Sequence, residues 1–217
     1  RMNAKNFDTA LEANRHVADR LRKQIKDLEN MREEDILMAL KEAVDKEHEI
    51  VDFELRIGVA FNNYENGKYA YSGKSFADKE QFDFVSKLVK NYSVAYVENP
   101  FHEKSDMYKK LANLYRKSCL ICLNPKTEYR KKIDKDDFNT AFVKFKNLAA
   151  FSSDVDYLKG KRFNIITDGK LDAMDAAFGL GIPLVKLGDD NLGEEAARRL
   201  ANISEEVLFT KQNFKKA

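Results

Sequence analysis

No apolar run in this 217-residue chain approaches the roughly 20 residues needed to span a bilayer, and no signal peptide opens it. An excess of one charge sign is also missing. The chain holds 38 Lys and Arg against 36 Asp and Glu, a formal net charge of +2. That balance argues against the one-sided basic field of a dedicated nucleic-acid surface. Cysteine is scarce, at two residues. With no secretory signal, this points to a reducing, cytoplasmic setting. There is no proline- or glycine-rich linker, so a single domain over residues 1–217 is expected. The first residue is Arg1 rather than methionine, as expected of a fragment or a processed chain. Lys and Glu are abundant, as in thermophile proteins, and the length is ample for a core.

Periodicity orders what is present. Phe7, Leu11, Val17, Leu21, Ile25 and Leu28 recur at helical spacing, which predicts a helix over 7–28. Ile36, Leu37, Leu40 and Val44 predict a second over 33–46. His16 and His48, on or beside these helices, read as packed or solvated groups rather than catalytic ones. From residue 51 the period changes. A strand is predicted over 51–61, a ribbon strand over 69–71, a helix over 78–91 and a strand from Ser93. The unit then repeats, with helices over 104–117, 128–139, 171–180 and 193–201 and a clipped one over 152–158. The strands between them are 119–123, 141–145, 163–167 and 184–187, and the tail over 209–217 is polar. Two leading helices followed by six strands alternating with helices make a parallel sheet or barrel the natural outcome.

The chain is organised around Ser93-Val-Ala-Tyr-Val-Glu-Asn-Pro-Phe101. Tyr96 and Glu98 share one strand face with Val94, and Pro100 stops the ladder near Glu98. A carboxylate at the carboxyl end of a buried parallel strand sits where α/β barrels keep their chemistry, or it simply ends a strand in a polar turn. Lys144 and Lys186 also lie at strand ends. A lysine in an apolar strand must reach a mouth, a carboxylate or solvent. If Glu98, Lys144 and Lys186 share one barrel, they converge at its mouth, where closely set lysines lose proton affinity and act as bases. Cys119 and Cys122, three apart in a strand, face opposite sides and read as core rather than as a metal pair. Gly73-Lys74-Ser75 lacks the upstream glycine of a phosphate loop. Gly188-Asp189-Asp190 is either a metal-holding turn or a cap for the helix at Gly193.

Several segments, in order, resemble enolase, the lyase that interconverts 2-phosphoglycerate and phosphoenolpyruvate. They are Ala4-Lys5-Asn6-Phe7 with its helix, Asn66-Gly67-Lys68-Tyr69, Tyr96-Val97-Glu98-Asn99-Pro100-Phe101 and Leu180-Gly181-Ile182-Pro183-Leu184-Val185-Lys186-Leu187-Gly188. The resemblance implies a TIM-like (β/α) barrel like the enolase carboxy-terminal domain, here incomplete. Two leading helices and about six β/α units remain, and the separate amino-terminal enolase domain is absent. By position, Glu98 matches a magnesium-binding acid and Lys186 a lysine that helps bind the substrate carboxylate region. Lys144 matches the proton-abstracting lysine. Asp168 is the polar group near the position of the family's catalytic histidine, which has no match here.

The departures have consequences. The first metal-binding Asp falls in Arg56-Ile57-Gly58 and the third near Leu123-Asn124, and neither segment offers an acid. Enolase chemistry needs magnesium to stabilise a doubly charged intermediate, and a single carboxylate holds this hard, hydrated ion weakly. The expectation is therefore a degenerate enolase-like protein. It binds a small anionic ligand, phosphorylated or carboxylate, through Lys144, Lys186 and Asp168, with weak Mg²⁺ at Glu98 and little dehydration. Two alternatives stay open: an active hydratase completed by a missing segment or partner, and a scaffold without catalysis. Open strand edges predict a homo-oligomer or a partner that completes the barrel.

Overall fold

A computed structural model describes residues 4–25, 31–71, 73–124, 137–168, 171–182 and 184–186. The chain opens with two helices, α1 (Ala4–Gln24) and α2 (Glu33–His48). They are clamped by Glu47, whose buried carboxylate accepts from Arg20 and, at 3.0 Å, from His16. His48 accepts the backbone N–H of Leu55, so both histidines hold local hydrogen bonds beside these helices. Strand β1 (Gly58–Ala60) follows, then a small antiparallel ribbon of β2 (Tyr64–Glu65), β3 (Lys68–Tyr71) and β4 (Lys74–Phe76). Gly73 sits in the β3–β4 turn at φ +72°, a hairpin role rather than a phosphate loop.

The remaining elements alternate. They are α3 (Asp78–Tyr92), β5 (Tyr96–Glu98), α4 (Met107–Tyr115), β6 (Leu120–Leu123), β7 (Thr140–Val143), α5 (Leu148–Gly160), β8 (Asn164–Asp168), α6 (Leu171–Gly179) and β9 (Leu184–Lys186). The six strands β1-β5-β6-β7-β8-β9 form one all-parallel sheet whose spatial order is the chain order. A doubly wound sheet reverses its order at a switch point, whereas a (β/α) barrel does not. The architecture is thus part of an enolase-like barrel. Its outer face packs on the helices through Val97, Ile121, Ala141, Val143 and Ile165. Its inner face gathers Tyr96, Cys122, Phe142 and Ile166 in a separate cluster.

Several boundaries differ from the periodic reading, each for a local reason. The strand expected over 51–61 is ordered only at Gly58–Ala60, because its partner β5 begins at Tyr96. Ser93, at φ +53°, closes α3 in the left-handed region, so the strand expected from Ser93 begins only at Tyr96. The helix expected from Lys104 starts at Met107, since Ser105 turns back on His102 and its hydroxyl accepts the Met107 N–H. The clipped helix over 152–158 is instead 13 residues long. Asn147 caps it by accepting the Ala150 N–H at 2.9 Å, a start signal upstream of the apolar positions. The first helix stops at Gln24. Of the helix expected over 128–139, residues 137–139 are a non-helical lead into β7, and the rest lies outside the described residues, as do the helix expected at 193–201, the Gly188-Asp189-Asp190 turn and the tail over 209–217. No helix among the described residues is long and apolar enough to cross a membrane.

Candidate functional site at the carboxyl-end mouth

Glu98 ends β5 with its side chain 7% exposed, and Lys186 ends β9 with its side chain 44% exposed. The Lys186 ammonium donates to Glu98 Oε2 at 2.8 Å. These strands are four places apart in the sheet. In a flat sheet four spacings of about 4.8 Å would separate them by about 19 Å, beyond the joint reach of the two side chains. The pair meets because the sheet curls, and in an eight-stranded barrel strands four apart face each other across the lumen. The ammonium lies 5.9 Å from the ring centroid of Phe142, which roofs the apolar floor beneath it.

Glu98 has two further donors. The Tyr96 hydroxyl, two residues earlier on the same strand face, donates to Oε2 at 2.5 Å, and Asn124 Nδ2 donates to Oε1 at 3.0 Å. Asn124 is itself held by Asn99. Its backbone N–H donates to Asn99 Oδ1 at 2.7 Å, and its carbonyl accepts from Asn99 Nδ2 at 3.1 Å. Asn99 adopts φ +48° to make this exchange. Burial by itself would raise the Glu98 carboxyl. The donors Asn124, Lys186 and Tyr96 outweigh it and hold the group below its ordinary range, so it is a carboxylate at neutral pH. Burial, with the nearby Cys122 and Glu98, pushes Tyr96 upward, so its hydroxyl stays a donor.

The rim around this bridge is fixed by the ribbon. The buried Gln81 accepts from the Tyr71 hydroxyl at 2.6 Å and donates to the Pro100 carbonyl at 2.9 Å. Asp78 accepts from the Tyr69 and Ser105 hydroxyls at 3.0 and 2.8 Å. The Tyr69 hydroxyl in turn accepts the His102 N–H at 3.1 Å.

Of the four residues singled out in the sequence, the structure brings Glu98 and Lys186 into contact. Asp168 is the register partner of Lys186 across β8 and β9, and its Oδ1 is buried without a hydrogen-bond partner among the described residues. Lys144 follows β7, one step beyond the Val143–Thr167 register pair and therefore beside Asp168 at the rim. Its side chain is exposed, and no ion pair joins it to Glu98 or Asp168 among the described residues. Tyr96 and Asn124 were not singled out as site residues. The legible signal was that Tyr96 shares a strand face with Glu98 and that Asn124 follows a lumen-facing Cys122 by two. Cys119 packs in the outer core and Cys122 in the lumen, as the three-residue spacing requires.

The magnesium that the resemblance implies does not fit these residues. Among the described residues no three His, Cys, Asp or Glu side chains gather into a cation site. In the first strand, Gly58 is the register partner of Tyr96. A Cβ added there would come within 3.1 Å of the Tyr96 ring. Asn124 presents its amide nitrogen to Glu98, a donor where a metal needs an acceptor. An ammonium and a divalent ion about 4 Å apart repel by about 8 kcal/mol at an effective dielectric of 20.

Comparison with known proteins agrees with the fold. No family model matches the chain. An enolase of Archaeoglobus fulgidus is 25% identical over 164 residues, covering 65% of this chain and 40% of that protein. An enolase of Halorubrum lacusprofundi is 33% identical over 94 residues, covering 41% of this chain and 24% of that protein. One of Pyrobaculum aerophilum is 39% identical over 57 residues, covering 25% and 14% respectively. The chain therefore spans less than half the length of each of these relatives. These similarities, together with a parallel sheet wound in chain order, support a divergent, truncated enolase-family domain.

Proposed function

We propose that the mouth of this barrel binds a small anion of the phosphorylated or carboxylate class and carries out little or no dehydration of 2-phosphoglycerate. The observation that supports this reading is the Lys186–Glu98 bridge across the lumen. It holds an ammonium over an apolar floor, where a carboxylate or phosphate of a ligand gains most from a fixed cation. Lys144 supplies a second, exposed ammonium at the same rim. Asp168 Oδ1 lacks a donor among the described residues and suits a ligand hydroxyl. Dehydration would need the family's metal ligands and acid-side groups, and Gly58 and Asn124 stand at two of those positions.

Isothermal titration with 2-phosphoglycerate and phosphoenolpyruvate, with and without Mg²⁺, tests the binding. Heat that saturates at millimolar ligand and disappears in Lys144→Ala is the expected result, and no heat refutes it. A second reading is an active lyase completed by further chain. It is favoured by β1 and β9, which each pair on one side only among the described residues. Ultraviolet absorbance of phosphoenolpyruvate formation tests it, and turnover that depends on Lys144 is its signature.

A further inference from the structure

We infer that the Lys186 ammonium is the resident cation of this mouth, standing at Glu98 in place of a divalent metal, so that the site works without Mg²⁺. The inference deepens the anion-binding reading and rests on it only for the ligand, not for the metal.

Four observations carry it. A carboxylate offers about four lone-pair positions, and three of those of Glu98 are taken: two on Oε2 by Lys186 and Tyr96, and one on Oε1 by Asn124. The donors are not loosely placed. Asn124 is locked by its two hydrogen bonds with Asn99, and Tyr96 leaves β5 on the lumen face beside Glu98. The Tyr96 ring also lies against Gly58, so the neighbouring strand adds no oxygen ligand on that side. Finally, Lys186 crosses from the opposite wall to reach Glu98, the one carboxylate it pairs with among the described residues, and its side chain, 44% exposed, stays accessible to a ligand.

An ammonium and Mg²⁺ differ in what they ask of the protein. Mg²⁺ demands near-octahedral oxygen ligands and keeps several waters. An ammonium needs one well-placed carboxylate and carries three donors. The chain supplies the second arrangement. With Oε2 of Glu98 holding one of those donors, the others remain for an anion at the mouth.

The metal arm of the test uses Mn²⁺ as a paramagnetic probe of divalent-cation binding to the unmodified protein, read by nuclear magnetic resonance. The expected result is no saturable broadening of the Tyr96, Glu98 and Asn124 amide signals at millimolar Mn²⁺. Saturable broadening centred on those three residues overturns the inference, and no variant has to fold for the answer to be read. The anion arm measures phosphoenolpyruvate affinity by titration in EDTA and in millimolar Mg²⁺. Equal affinities are expected, and a rise of about tenfold or more with Mg²⁺, about 1.4 kcal/mol, overturns the inference. If phosphoenolpyruvate fails to bind under both conditions, the anion-binding reading falls, and the Mn²⁺ result alone decides the cation assignment.

Discussion

The Lys186–Glu98 contact joins strands that a flat sheet would hold about 19 Å apart, so its energetic coupling reports on the curl of the whole sheet. Lys186→Met removes the charge and keeps the length of the side chain. It leaves Glu98, with a side chain 7% exposed, holding only the Tyr96 and Asn124 donors among the described residues. Losing one partner of a fully buried pair costs about 3–5 kcal/mol. Lys186 is 44% exposed, so water replaces part of the interaction and about 2 kcal/mol is expected. Glu98→Gln strands a lysine that can turn outward to water, and it should cost about 1 kcal/mol. The double variant should cost less than the sum by about 1 kcal/mol, the coupling left after solvent screening. Urea titration followed by circular dichroism measures all four corners of the cycle. Distant sites add to within about 0.3–0.5 kcal/mol. A coupling inside that band would mean that the two side chains do not meet, and the lumen-spanning geometry would be refuted.

Other consequences are testable alone. Asn147→Ala removes the cap of α5 and should cost about 1 kcal/mol by urea titration, with the far-ultraviolet spectrum retained. Glu47 and Glu98 both titrate below their ordinary value near 4.5, because hydrogen bonds from His16 and Arg20, and from Asn124, Lys186 and Tyr96, outweigh a burial that by itself would raise them. Their stabilisation is therefore complete above that pH and is lost as the pH falls through the depressed folded values. Urea midpoints that fall below pH 4.5 in the parent, and fall less in Glu47→Gln, check the sign. Burial pushes the thiols of Cys119 and Cys122 up to about 12. Both should resist Ellman's reagent at pH 8 until denaturant is added. Light scattering should show a dimer or larger species if the one-sided edges of β1 and β9 pair with another chain, and a monomer argues against it.

The amino-acid order by itself determined the alternation of helices and parallel strands, the acid at the end of β5 and the separation of the two cysteines. These follow from periods of 3.6 and 2, which are local properties read within one segment. The start of α5 at an asparagine cap and the late start of α4 were harder to read. They depend on single side-chain hydrogen bonds rather than on apolar spacing. Which strand-end groups meet was decided only by the tertiary structure. Glu98 and Lys186 are 88 residues apart, and the closure that joins them depends on sheet curvature, which no local pattern encodes. The same holds for the donors that saturate Glu98. Tyr96 covers Gly58 and Asn124 reaches the carboxylate only because strand register sets β1, β5 and β6 side by side.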